Sequence, residues 1–178
     1  MKIAGLWSGH DCSFCVLEDG QPVVHAEYER YIREKEPQGD SVQFLLEEYD
    51  NFDEIVHFVT CHSVDRLKKH ETSYQRIKEA CHKNGGELHV FGHHKCHAAN
   101  AFFSSNLNDA LIVTIDGGGY ETSDNYATAF TVWKGEGNKI EHVRSFPISQ
   151  VNIGGVWTRC TRYIFNLQSG WPRGHQAG

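Results

Sequence analysis

Phe91-Gly92-His93-His94-Lys95-Cys96-His97-Ala98-Ala99, and after it Leu111-Ile112-Val113-Thr114-Ile115-Asp116-Gly117-Gly118-Gly119, decide what this chain folds into and what it holds. His93 and His97 stand four apart where an apolar-periodic helix begins, and four residues of helix return side chains to one face. Asp116 ends a strongly β-prone run and abuts three glycines. Two imidazoles on a helix face and a carboxylate at a neighbouring strand end make a ligand set suited to zinc or iron. The plain alternative is a pair of polar residues at a helix start, and spacing alone does not choose between them.

Working outward, Leu88 to Phe91 reads as a short strand leading into the histidines, and His94 to Phe103 as the helix, with Ala98, Ala99 and Ala101 permitting close packing. Ala110 to Ile115 reads as a buried strand. Ala127–Trp133 and Ile140–Phe146 read as a hairpin around Gly135-Glu136-Gly137. Gly154-Gly155 introduces a helix carrying Ile153, Val156, Trp157, Cys160, Tyr163 and Ile164 on one side.

Towards the N-terminus, Lys2–Gly9, Asp11–Leu17 and Gln21–Tyr31 read as three antiparallel strands, with Glu18-Asp19-Gly20 as a hairpin turn. Asp40 or Ser41 caps a helix with Val42, Leu45, Leu46 and Tyr49 on its apolar face. Ile55-Val56-His57-Phe58-Val59 is an apolar run typical of a strand covered on both faces. A polar helix runs from Ser63 to about Lys83, closed by Gly85-Gly86. Hairpins followed by alternating helices and strands predict a mixed α/β layered domain, a single one spanning residues 1–178.

The chain has 178 residues, 39% hydrophobic and 22% charged, with a net charge of -6 that argues against nucleic acid as the main partner. No apolar run approaches a membrane span. The sequence enters a strand at once, so no signal peptide is expected and the expected compartment is the cytoplasm. Cys12, Cys15, Cys61, Cys81, Cys96 and Cys160 are expected as free thiols, since Cys12 and Cys15 fall in a strand where residues three apart face opposite ways. His25, His57, His89 and His142 read as ordinary, partly exposed residues, and only the 93–97 pair has ligand spacing. The glycine-rich run Ser169–Gly178 suggests a chain cut within a longer domain.

Taken in series, four motifs resemble the N-terminal part of the O-carbamoyltransferases of the nodulation and antibiotic-tailoring type, relatives of the tRNA threonylcarbamoyl-adenosine synthase. They are the turn His10-Asp11-Cys12-Ser13, the segment Glu29-Arg30-Tyr31-Ile32-Arg33-Glu34-Lys35, the run His93-His94-Lys95-Cys96-His97-Ala98-Ala99-Asn100-Ala101-Phe102-Phe103, and Thr114-Ile115-Asp116-Gly117. The resemblance implies a ribonuclease H-like, actin-like lobe. It implies that His93, His97 and Asp116 hold a metal, usually Fe2+ (Zn2+ or another divalent ion as the alternative), with a further carboxylate from a second lobe. It also implies that His10 and Lys35 line the pocket for carbamoyl adenylate, made from carbamoyl phosphate and ATP in a separate domain. The carbamoyl group then passes to a substrate hydroxyl. Arg30 and Arg33 take supporting places.

The residues agree with that chemistry. A metal and a cation such as Lys35 can stabilise a developing oxyanion, and His10 can act as acid or base toward the acceptor hydroxyl. Gly117, Gly118 and Gly119 let backbone amides approach phosphates. Two departures stand out. The family's Asp-Ser-Ala-Ala turn is here Asp11-Cys12-Ser13-Phe14, and its Gly-Lys-Val-Met-Gly-Leu-Ala motif is absent. With the second lobe and the adenylating domain missing, the 178 residues alone are expected to be inactive. Two other readings compete: an actin-like ATPase or sugar-kinase lobe, and a non-catalytic binding lobe that forms a homodimer.

Overall fold

In the computed structural model, which describes residues 1–35, 37–61, 71–121 and 126–166, the chain divides into two compact units, Met1–Phe91 and Gly92–Gly178. The first is built on β1 (Lys2–Trp7), β3 (Ser13–Glu18), β4 (Gln21–Glu27), β6 (Ile55–Cys61) and β7 (Glu87–Phe91), in the order β4-β3-β1-β6-β7. β1, β3 and β4 run antiparallel, whereas β1, β6 and β7 run parallel. The expected hairpins and the mixed sheet are therefore both present. Along β1, Lys2, Ala4 and Leu6 are buried and alternate with half-buried residues, the period of a strand with one face on a core.

That face is covered by α2 (Ser41–Glu48) and α3 (Glu71–Lys83). Leu45, Phe58 and Ile55 are fully buried against Phe14 and Val16, each contributing about 1.5–3 kcal/mol through the apolar surface it removes from water. Asp40 caps α2 as its sequence position suggests, Oδ1 accepting from the Val42 and Gln43 amides at 3.0 and 3.3 Å. The same carboxylate pairs with Arg76 of α3, so one side chain holds both helices. The predicted start of α3 at Ser63 lies outside the described residues. At its far end Gly85 adopts a left-handed backbone (φ +61°) and Gly86 returns its N–H to the Cys81 carbonyl.

The third strand stops at Glu27, short of the expected Tyr31, and Tyr28–Ile32 coils into the short helix α1. The reason is aromatic. Tyr28 and Tyr31 both pack edge-on against Phe44, with centroids 5.2 and 4.8 Å away. A strand would send residues three apart to opposite faces, whereas a helix sends them to one. The expectation that β6 is covered on both faces also fails: Phe58 and Thr60 are buried, but His57, Val59 and Cys61, which alternate with them, are only half-buried.

A small two-stranded ladder of β2 (Gly9–His10) and β5 (Gln38–Gly39) sits beside the sheet, His10 paired with Gln38. It is pinned by Ser8, whose buried Oγ accepts from the Ser41 amide at 3.0 Å and lies 2.7 Å from Ser41 Oγ. A Cβ at Gly39 would sit 2.7 Å from Cys12 Cβ, so only glycine allows this packing.

In the second unit, β8 (Asp109–Gly119), β9 (Thr128–Glu136) and β10 (Lys139–Pro147) form an antiparallel meander in the order β10-β9-β8. α4 (His93–Phe103) lies on it through Ala98 and Phe102 against Ile112 and Trp133. Only that face of β8 is covered: Ile112 and Thr114 are buried, while Leu111, Val113 and Ile115 are 45–72% exposed, contrary to the buried strand expected. α5 (Ile153–Arg159) continues into a π-helical turn, Cys160–Ile164. Trp157 and Tyr163, expected on its apolar side, are exposed. The glycine-rich tail from residue 167 lies outside the described residues.

All six cysteines are free, and among the described residues no helix is long and apolar enough to cross a membrane. Burial, with the Asp40 charge adding to it, pushes the Cys12 thiol up to about 11. In native protein at pH 8, Cys12 should resist iodoacetamide and react quickly once the chain is unfolded, as peptide mass mapping would read. Leu45→Ala should cost about 2–5 kcal/mol, measured by urea denaturation.

Candidate metal centre

The first turn of α4 is anchored by residues that follow β8. Its N-cap is Gly92, where a Cβ would run into the Glu121 carboxylate. Glu121, 6% exposed, accepts the His94 amide at 2.6 Å, and the Tyr120 carbonyl accepts the His93 amide at 2.9 Å. A buried carboxylate on the free amides of a helix start satisfies those donors and opposes the positive end of the dipole. The sequence reasoning missed Glu121 because it lies 27 residues from the amide it caps.

His94 carries no ligand spacing in the sequence, and its side chain is fully buried. Its Nε2 donates to the Thr128 carbonyl at 2.7 Å, and its Nδ1 lies 2.6 Å from Thr114 Oγ1. A carbonyl can only accept, so Nε2 carries the hydrogen and Nδ1 of the neutral ring accepts from Thr114. Thr114 Oγ1 is 2.6 Å from Thr131 Oγ1, which accepts the Trp133 indole N–H at 2.5 Å. Donation therefore runs Trp133, Thr131, Thr114, His94, Thr128, all through buried groups. Burial lowers the His94 pKa from 6.5, with the Thr128 carbonyl opposing.

With His94 held inward, His93 and His97 share the adjoining face of the helix and meet Asp116. His93 Nε2 donates to Asp116 Oδ2 at 2.6 Å; His97 Nε2 lies 3.7 Å from the same oxygen and 3.1 Å from His93 Nε2. The other carboxylate oxygen accepts the Gly117 amide at 2.5 Å. His93 above all, then His97 and that amide, hold the Asp116 pKa far below the carboxylate range, against the opposing effect of burial. Room for the His93 ring exists because residue 119 is glycine: a Cβ there would overlap the ring. A tetrahedral ion bound at 2.0–2.1 Å sets its donors roughly 3.3 Å apart, a spacing these three atoms reach with small shifts. Two imidazoles and a carboxylate fit zinc or ferrous iron.

The other predicted residues sort differently. Gly117, Gly118 and Gly119 prolong β8, with the β9 register broken between Ile115 and Gly119, so they form a bulged strand end. Gly118 has φ +150° and Gly154 of α5 packs on Gly117, where a Cβ at residue 154 would sit 2.8 Å from the Gly117 Cα. His10 and Lys35 belong to the first unit. The Lys35 ammonium is 85% exposed and sits on both Glu29 oxygens at 3.0 and 3.2 Å. Beside the His10 turn, Trp7, Asp11, Cys12, Ser13, Glu27, Glu29 and Arg30 line an open cleft of about 410 Å³.

No protein-family model and no curated protein matches the chain. Among solved structures it is similar to HypF of T. kodakarensis (TM-score 0.59, 16% identity), covering 82% of this chain and 18% of that one. It is also similar to full-length HypF in the phosphate- and nucleotide-bound form (TM-score 0.54, 15% identity), covering 80% and 18%. YeaZ from Pseudomonas aeruginosa is similar over 86% of this chain and 72% of its own, at TM-score 0.52 and 9% identity. The chain thus spans 18% of the HypF chains it matches. At these identities the likeness shows the fold, an actin-like, ribonuclease H-like α/β lobe.

Thr114→Val should strand the His94 and Thr131 partners and lower stability by about 1–3 kcal/mol in a denaturant titration. His94 itself should be seen by ¹⁵N NMR as the Nε2–H tautomer. Unfolded His94 binds a proton as pH falls through 6.5 and folded His94 only at lower pH. Its contribution to stability is therefore intact above that pH and lost progressively below it, which thermal melts against pH would register.

Proposed function

We propose that the chain is a lobe of a carbamoyltransferase, one that passes a carbamoyl group from carbamoyl adenylate to the hydroxyl of a small-molecule acceptor. The convergence of His93 Nε2, His97 Nε2 and Asp116 Oδ2 at the end of β8 is the observation behind this reading. The fold adds support, since one of the HypF structures it resembles is a phosphate- and nucleotide-bound form. In this reading carbamoyl phosphate and ATP supply the adenylate, and the protein works in the cytoplasm.

His93, His97 and Asp116 would hold the Fe2+ or Zn2+. When bound, such an ion supplies a Lewis acid for negative charge developing on the transferred group. The chain's own residues have separate tasks. Asp116, ionised throughout the neutral range, brings the charge that a cation needs, and the Gly117 amide keeps its second oxygen occupied. Glu121 and His94 hold the helix so that both imidazoles face the carboxylate. His10 serves as acid or base toward the acceptor hydroxyl. Lys35 stabilises the developing oxyanion, for which its ammonium, on an 85% exposed side chain, must leave the largely buried Glu29.

Titration of metal-stripped protein with Fe2+ under anaerobic conditions, followed by calorimetry, tests this reading. His93→Ala and Asp116→Asn should each weaken binding by roughly 100-fold or more. Unchanged affinity in both variants would remove the metal assignment. ATP hydrolysis that survives His93→Ala would instead favour the ATPase or sugar-kinase lobe.

A further inference from the structure

We propose that His57, Glu87 and His89 form a second divalent-cation site, lying wholly in the first unit and separate from the His93 centre. β6 and β7 are parallel neighbours with His57 paired to Glu87 and Val59 to His89. Residues paired across a ladder share a face, as do residues two apart along a strand. His57, Glu87 and His89 therefore stand together on the face opposite Phe58 and Leu88. Their ligand atoms close a triangle: His57 Nδ1 is 3.1 Å from His89 Nε2, and Glu87 Oε2 is 3.9 Å from the first and 3.8 Å from the second.

That triangle reaches the roughly 3.3 Å spacing of donors around a tetrahedral ion bound at 2.0–2.1 Å once the Glu87 carboxylate moves in by about half an ångström. A hydrogen bond between two neutral imidazoles needs no third group, yet a carboxylate sits nearly equidistant from both nitrogens, where it would complete a cation's ligands. The rings are also held. His89 lies parallel to Phe91 (centroids 6.4 Å, 6° apart), and His57 is 29% exposed in its side chain. Glu87, 69% exposed, can reach or release an ion at little packing cost. Two imidazoles and one carboxylate are the donors of open zinc sites, with a position left for water or an incoming group. Calcium and magnesium, which take oxygen ligands, are excluded by the imidazoles. β7 is an edge strand of its sheet, and an ion here would tie that edge to β6.

The sequence hid this site. Glu87-Leu88-His89 offers two donors at strand spacing, but the third comes from a strand 32 residues away, and His57 and His89 read as ordinary surface residues. Zn2+ titration of chelator-treated full chain by calorimetry decides the matter. His93→Ala with His97→Ala should leave one Zn2+ bound, and that ion should raise the melting temperature of the variant, reversibly with EDTA. Glu87→Gln or His57→Asn added to this background should weaken the remaining site at least about 10-fold, with the far-ultraviolet dichroism unchanged. The site is refuted if the His93/His97 double variant binds no zinc, or binds it only above about 100 µM. Unaltered affinity in Glu87→Gln and His57→Asn together would refute it equally. Because the His93 centre is removed in the background used, failure of the function proposed above leaves this result readable.

Discussion

The buried imidazole of His94 is the constraint on which the second unit rests. It reaches β8 through Thr114 and the start of β9 through the Thr128 carbonyl, so one ring holds a helix to two strands. Leaving such a group unpaired in a packed interior costs about 1–3 kcal/mol per polar atom, and the pairing leaves it no alternative orientation. The helix cannot roll without breaking both bonds. His93 and His97, together on the adjoining face of the helix and in edge-on ring contact with His94, are therefore aimed at Asp116 by a residue that is not itself one of the three.

Much of the fold was legible because its signals are local. The Asp40 cap, the Glu18-Asp19-Gly20 turn, the helix expected over His94–Phe103 and the strand expected over Ala110–Ile115 depend on neighbours a few residues away. The pairing of His93 and His97 follows from helical pitch alone. What escaped depends on distant partners. Tyr28 and Tyr31 are good strand residues, and only Phe44 makes a helix the better way to bury both. Glu121 and His94 look like unremarkable polar residues until the turn after β8 folds back on α4. The three glycines carry no side-chain pattern to read, and their fitness for a strand end that passes close under a ring and a second helix shows only once those neighbours are in place.

The two ligand triangles are the same problem solved on different scaffolds. On α4 the two imidazoles come from one helix and the carboxylate from a strand. On the first sheet one strand brings a carboxylate and an imidazole, and its neighbour brings the second imidazole. In both, secondary structure supplies a pair at a fixed repeat and tertiary structure supplies the third donor. A helix-and-strand site inherits the rigidity of a buried anchor; a site on an edge strand has no equivalent anchor and depends on the ladder beneath it.

The chain of donors from Trp133 to the Thr128 carbonyl has one further property. A carbonyl can only take a hydrogen and an indole nitrogen can only give one, so with the His94 ring neutral the sense of both hydroxyls between them is dictated. Of all the ways the protons could be arranged along this path, a single ordering keeps every bond. This path between α4 and the sheet is thus fixed down to its hydrogens, and its dipoles all point one way.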